Sequence, residues 1–126
     1  MTYNKGLAVT LDADSLARLF DLEQFTEVRE VLGEDFPGML DKFYLTLEEG
    51  IDGIRAAIAT QNGVALKRAA HKLKGATAAV GAKTLSAFCT ELEQRGSESR
   101  FDGATELLAQ LSLDYVQVQA HMRSLS

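Results

Sequence analysis

The chain is poor in residues that cross-link or interrupt a fold, because its 126 residues include one cysteine and one proline. The single cysteine, Cys89, cannot form an internal disulfide, which is compatible with a reducing cytoplasm. The N-terminal segment MTYNKGLAVTLDAD lacks the apolar core of a secretory signal. No apolar run approaches the roughly 18 residues that cross a bilayer. These absences argue against a disulfide-stabilised secreted protein or a membrane protein, and they favour a cytoplasmic domain.

Acidic residues are missing from one long stretch of the chain. No Asp or Glu occurs from Gly53 to Thr90, although the whole chain has 18 acidic and 13 basic residues. This stretch holds six of the basic residues, so the remainder carries 7 − 18 = −11. The net charge of −5 argues against non-specific nucleic-acid binding. The basic stretch predicts a surface that attracts an acidic partner or stabilises an added anion. Its basic residues are Arg55, Lys67, Arg68, Lys72, Lys74 and Lys83.

Apolar residues recur every three or four positions, which is the spacing of one buried helix face. No strand-like alternation of any length is present. Four main helices are predicted, at residues 36–58, about 64–80, about 83–95 and 104–125. Their short connections predict an all-α fold, an antiparallel up-down-up-down four-helix bundle over residues 35–125. We expect a single domain over residues 1–126, in which residues 1–33 supply short N-terminal capping helices at 14–20 and 22–32.

Asparagine and glycine residues predict where these helices end. Asn62-Gly63 is typical of the end of the first main helix. Gly81 and Gly96 are expected to close the two helices that follow. The sequence therefore predicts sharp turns at three places along the bundle.

His71 is one of two histidines and lies inside the basic stretch. At about 100° per residue, the apolar residues Ala69 and Leu73 lie on the opposite side of its helix. Three cations lie three or four positions away and are its neighbours on the helix surface: Lys67, Arg68 and Lys74. His71 is therefore expected to face solvent, in surroundings that disfavour protonation of the imidazole and suit an added anion.

Gly75 follows His71 by one helical turn. A glycine inside a helix costs roughly 1 kcal/mol relative to alanine. It also leaves bare backbone beside the imidazole, so a partner can approach closely. The glycine therefore predicts a need for space at this position.

Other interpretations of His71 lack necessary parts. A buried structural histidine conflicts with the exposed position, and an idle surface histidine leaves the cations and Gly75 unexplained. Metal binding needs several ligands, and the other histidine, His121, lies far away on the last helix. We expect His121 to be a solvated surface residue or a favourable charge near the helix C-terminus. A nucleophile–base pair needs an orienting carboxylate, which the acid-free stretch does not supply locally.

The segment AHKLKGATAAVGA, residues 70–82, resembles the motif of histidine-containing phosphotransfer (HPt) domains. Its His-x-Leu-Lys-Gly pattern is followed by Gly-Ala after the helix. The flanking segments at residues 36–70 and 85–96 are similar to the family in order and spacing. Thr77 departs mildly, because many members carry a serine or another small residue there. The resemblance runs from about Asp35 to the C-terminus.

This resemblance implies a phosphorelay intermediate. His71 would accept a phosphoryl group from the aspartyl phosphate of one receiver domain and pass it to the aspartate of a response regulator. Lys74 would help neutralise the phosphoryl oxygens, and Gly75 would clear room for the partner's active site. The expected partners are the receiver domains of a hybrid sensor histidine kinase and of a response regulator. The expected docking residues are Val64, Lys67, Arg68, Lys72 and Ala78.

The resemblance also implies that this chain binds no metal or cofactor of its own, since Mg²⁺ belongs to the receiver. The protein would carry a phosphohistidine rather than act as an independent catalyst, and its complete set of helical stripes predicts a monomer. Two alternatives stay open. One is the phosphoacceptor domain of a larger hybrid or chemotaxis-type kinase, and the other is a non-phosphorylated helical adaptor that binds a receiver domain.

Overall fold

The longest helix of the bundle follows the predicted apolar stripe closely. A computed structural model describes residues 17–125, and in it this helix, α2, spans Phe36–Ala59. Proline in its first turn is tolerated because the first backbone N–H groups of a helix have no intrahelical partner. The buried face carries the apolar residues at helical spacing: Phe36, Leu40, Phe43, Tyr44, Leu47, Ile51, Ile54 and Ala57.

Three further helices complete an antiparallel bundle with α2. They are α3 (Gly63–Ala79), α4 (Lys83–Ser97) and α5 (Ala104–Leu125). Helix α3 packs against α2 and α4, and α5 closes the ring against α4 and α2. The all-α up-down-up-down bundle predicted from the sequence is confirmed. Within the described residues, no helix is long and apolar enough to cross a membrane.

A shorter helix, α1 (Leu22–Leu32), precedes the bundle at the predicted position, and a 3₁₀ turn at Gly33–Asp35 joins it to α2. The side chain of Asp21 caps α1 by accepting from the backbone N–H of Gln24 at 3.0 Å. The backbone N–H of Asp21 donates to the carbonyl of Gly81 at 2.7 Å, which ties α1 to the turn between α3 and α4. Residues 17–19 are helical, whereas the rest of the helix predicted at 14–20 lies outside the described residues.

Two predicted helix boundaries are wrong. Asn62 begins α3 rather than ending α2, because its side chain accepts from the backbone N–H of Ala65 at 3.0 Å. Helix α2 already ends at Ala59. Gly96 lies inside α4, which continues to Ser97, and it is buried against α3.

His121 is half-buried, so the predicted solvated surface position is wrong. Its ring meets the buried Phe20 edge-on, with ring centroids 6.4 Å apart. Its Nδ1 is buried and has no hydrogen-bond partner among the described residues. This histidine packs in the capping region instead of projecting into solvent.

Candidate functional site

His71 lies in the middle of α3, on the side that faces away from the core. The side chain is 68% exposed, whereas Ala70 and Leu73 on the same helix are fully buried. The orientation predicted from the helical wheel is therefore confirmed. The core residues hold α3 in place and leave the imidazole free to meet another molecule.

A carboxylate from the next helix contacts this imidazole. Glu93 of α4 has its Oε2 atom 2.8 Å from Nδ1 of His71 and its Oε1 atom 2.6 Å from Nζ of Lys74. The side chain of Glu93 is only 18% exposed, so the two interactions occur at the edge of the α3–α4 contact. Glu93 thus joins the histidine and the lysine through its two oxygens.

The acid-free stretch supplies no carboxylate to His71, as the sequence indicated, but Glu93 reaches the imidazole from beyond that stretch. Helices α3 and α4 form an antiparallel hairpin around Gly81. His71 precedes this turn by 81 − 71 = 10 residues, and Glu93 follows it by 93 − 81 = 12. Residues about equally distant from such a turn lie side by side on the two helices, and this relation could have identified Glu93.

The charges around Glu93 determine whether its carboxyl group is ionised and which ring nitrogen of a neutral His71 carries the proton. The hydrogen bond from Lys74, and after it the hydrogen bond from His71, holds the pKa of Glu93 below its usual range. The carboxylate is therefore ionised near neutral pH and can only accept hydrogen bonds. Nδ1 of a neutral His71 must then carry the ring proton, which leaves the lone pair of Nε2 available as a nucleophile.

An open cleft of about 600 Å³ adjoins the imidazole along α3 and the end of α4. Four of the five predicted docking residues lie along it: Val64, Lys67, Arg68 and Lys72. The α4 side of the cleft adds Glu93, Gly96 and Ser97. Ala78, the fifth predicted residue, lies farther along α3, where its carbonyl accepts from Nε2 of Gln24 at 2.7 Å.

Gly75 is not required by the packing of this chain. A Cβ atom added to it would meet no other atom within 4 Å. Thr77, by contrast, is fully buried, and its hydroxyl donates to the carbonyl of Leu73 at 2.8 Å. The glycine therefore leaves open space next to His71 on the exposed side of α3, as the sequence predicted.

The described residues give little support to two other kinds of site, a reactive thiol and a metal site. Burial first, and the nearby Glu93 second, raise the pKa of the Cys89 thiol to about 12, so this buried sulfur remains protonated and unreactive. Among residues 17–125, no group of three or more His, Cys, Asp or Glu side chains converges as a metal site would. The imidazole of His71 is therefore the candidate reactive group among these residues.

Comparison with known proteins agrees with the fold. The chain matches the family model of the Hpt domain over residues 38–121, two thirds of its length. It is 22% identical over 110 residues to histidine-containing phosphotransfer protein 2 of Arabidopsis thaliana, in an alignment covering 82% of this chain and 70% of the relative. The crystal structure of histidine-containing phosphotransfer protein B from Pseudomonas aeruginosa superposes with a TM-score of 0.76. That pair shares 28% sequence identity over 85% of this chain and 97% of the other.

These matches, together with the helical bundle, define a histidine phosphotransfer protein of two-component signalling. The chain belongs to the Hpt domain family. Its general role is histidine phosphotransfer in a phosphorelay.

Proposed function

We propose that Nε2 of His71 is the atom that receives the phosphoryl group, from the aspartyl phosphate of one receiver domain, and delivers it to the aspartate of another. The observation that carries this proposal is the 2.8 Å contact between Nδ1 of the exposed His71 and the carboxylate of Glu93. A histidine held in this way presents an unprotonated Nε2 to the surroundings. Idle surface histidines need no such partner.

The transfer is an in-line displacement at phosphorus. The Nε2 lone pair forms the P–N bond while the P–O bond to the donor aspartate breaks and returns that side chain as a carboxylate. The phosphorylated ring becomes positively charged, and Glu93 stabilises it through the hydrogen bond from Nδ1–H. In the second transfer the acceptor aspartate attacks phosphorus, the P–N bond breaks, and the neutral imidazole is restored.

Lys74 and Gly75 complete the site in different ways. Lys74 is held beside the imidazole by Glu93, so its ammonium group can turn toward phosphoryl oxygens with little motion. Gly75 keeps the adjacent surface free, so the receiver's active site can approach the imidazole. Positioning and charge neutralisation are the main requirements of phosphoryl transfer, and these two residues supply them.

The cleft beside His71 fits a partner with an acidic surface. Lys67, Arg68 and Lys72 place three cations around it, and the side chain of Val64 is exposed at its edge. The pocket of a receiver domain has acidic residues that hold Mg²⁺, so we assign the metal to the partner and none to this chain. We expect the protein to work as a monomer in the cytoplasm, where its single buried thiol would stay reduced.

The proposal is tested by incubating the protein with a phosphorylated receiver domain and Mg²⁺, then measuring intact mass before and after acid treatment. One acid-labile phosphate is expected on the wild type and none on His71→Gln. Acid-labile phosphate on His71→Gln would contradict the assignment. Receiver binding without phosphate transfer would instead favour the adaptor.

A further inference from the structure

Helices α3 and α4 touch backbone to backbone one helical turn away from the His71–Glu93 pair. A Cβ atom added to Gly96 would lie 2.5 Å from the backbone nitrogen of Lys67 and 2.8 Å from the carbonyl oxygen of Gly63. The contact is reciprocal, because a Cβ on Gly63 would lie 2.8 Å from the carbonyl oxygen of Gly96. Two glycines therefore allow an approach that any side chain would prevent.

This crossing is offset from the site by about the same distance along both helices. Lys67 precedes His71 by four residues on α3, and Glu93 precedes Gly96 by three residues on α4. Both intervals are about one helical turn. The separation of the two backbones at the crossing therefore helps to set the separation of His71 and Glu93.

The size of the effect can be read from the distances. For the Cβ atom of an alanine at position 96, the backbones must separate by 3.0 − 2.5 = 0.5 Å to remove the overlap and by 3.4 − 2.5 = 0.9 Å to reach an ordinary contact. An equal separation at the site would lengthen the 2.8 Å contact of His71 with Glu93 to between 2.8 + 0.5 = 3.3 Å and 2.8 + 0.9 = 3.7 Å, which weakens or breaks the hydrogen bond. Lys74 lies on α3 beside His71, so the same separation would also stretch its ion pair with Glu93.

We infer that the Gly63–Gly96 crossing sets the hydrogen bond between His71 and Glu93, and that Gly96 is a positioning residue for phosphoryl transfer. The inference deepens the proposed function and rests on it for the transfer step. Its structural part concerns the ring proton of His71 and can be measured in the unphosphorylated protein. Gly96 acts through Glu93 and does not touch the reacting atoms.

The other glycines of the bundle show that this contact is specific. Gly50 also lies at a close contact, but what approaches it is the side chain of Leu73 rather than a helix backbone. Gly38 faces open space in α2, with no atom within 4 Å of an added Cβ. Gly38→Ala is therefore a matched control, since it makes the same chemical change where nothing is displaced.

The experiment compares wild type, Gly96→Ala and Gly38→Ala by long-range ¹⁵N–¹H NMR of the histidine rings, with His71→Gln used to assign the signals. Wild type and Gly38→Ala should show His71 protonated at Nδ1. Gly96→Ala should show a mixture protonated at Nδ1 or Nε2. The transfer rate from a phosphorylated receiver should fall roughly tenfold to a hundredfold in Gly96→Ala only, as expected for a displacement of about 1 Å.

A double-mutant comparison separates positioning from general damage. If Gly96 acts through Glu93, adding Gly96→Ala to Glu93→Ala should slow transfer no further, because the interaction has already been removed. A folded Gly96→Ala protein that keeps the Nδ1 proton on His71 would overturn the inference. So would fully additive losses in the double mutant.

Two remaining outcomes are also decisive. If Gly96→Ala does not fold, Gly63→Ala tests the same crossing from α3 and should give the same mixture of ring protonation. Unfolding of both variants would overturn the inference, since the crossing would then serve the fold as a whole. If the ring proton shifts as expected but wild type accepts no phosphate from receivers, the proposed function fails while the structural role of Gly96 stands.

Discussion

Lys74 and His71 share one carboxylate: Nζ of Lys74 lies 2.6 Å from Oε1 of Glu93, and Nδ1 of His71 lies 2.8 Å from Oε2. The lysine keeps the carboxylate ionised, and the ionised carboxylate fixes the proton on His71. The lysine is therefore connected, through Glu93, to the proposed nucleophile before any phosphoryl group arrives. The arrangement gives Lys74 an effect on the imidazole in addition to its proposed role of neutralising phosphoryl oxygens.

Replacing Glu93 should slow phosphorylation of His71 without unfolding the bundle. We expect Glu93→Ala to lower the transfer rate roughly 10- to 100-fold, by analogy with the loss caused by removing the partner that orients a metal-ligating histidine. Glu91→Gln is the control, because Glu91 is exposed on the same helix and does not line the cleft. Rapid-quench kinetics with a phosphorylated receiver measure both variants. Equal rates for Glu93→Ala and wild type would contradict the role given to this carboxylate.

The same carboxylate should make the folded protein sensitive to acid. The folded state lowers the pKa of Glu93 below its usual 4.5, chiefly through the hydrogen bond from Lys74. As the pH falls past 4.5, the unfolded chain binds more protons than the folded protein. The contribution of Glu93 to the free energy of unfolding is therefore complete above that pH and is lost as the pH drops through the lowered pKa of the folded state. Urea unfolding between about pH 3 and 7 should show a steeper loss for wild type than for Glu93→Gln. Parallel curves would exclude this linkage.

The sequence could predict the helices and the outward position of His71, because both follow from periodicity within one segment. Leu73 and Ala70 are buried and His71 is exposed, as a single turn of helix requires. Glu93 could not be found in the same way. The acid-free stretch ends at Thr90, three residues before it, and only the alignment of α3 with α4 brings it to the imidazole.

Gly96 and Asn62 show why local patterns were insufficient at the helix ends. A glycine near a helix terminus can end the helix or admit a neighbouring backbone, and the approach of α3 to Gly96 decides between them. Asn62 follows one helix and precedes another, and its side chain caps the second. Such choices depend on the packing partner, so a single sequence leaves them ambiguous.

Gly75 should be dispensable for folding and necessary for transfer. Because an added Cβ meets no atom within 4 Å, Gly75→Ala should raise the free energy of unfolding by about 1 kcal/mol through helix propensity. Gly75→Leu should remain folded and should block receiver docking by its bulk. Thermal unfolding and titration with a receiver domain measure the two effects. Gly38→Ala is the control at another open helical position, and it should raise stability while leaving transfer unchanged. Unimpaired transfer by Gly75→Leu would refute the proposal that Gly75 clears space for the receiver.

The cations along the cleft should control how fast the receiver associates. Arg68→Ser removes a charge that lines the cleft, so its association with an acidic receiver should slow several-fold at low salt. The difference from wild type should shrink as salt rises toward about 0.15 M, where the screening length is about 8 Å. Lys83→Ser is the control, because Lys83 belongs to the same basic stretch but lies at the start of α4, away from the cleft. Stopped-flow association at several salt concentrations measures both, and equal slowing by the two variants would mean that net charge, not the cleft, guides the partner.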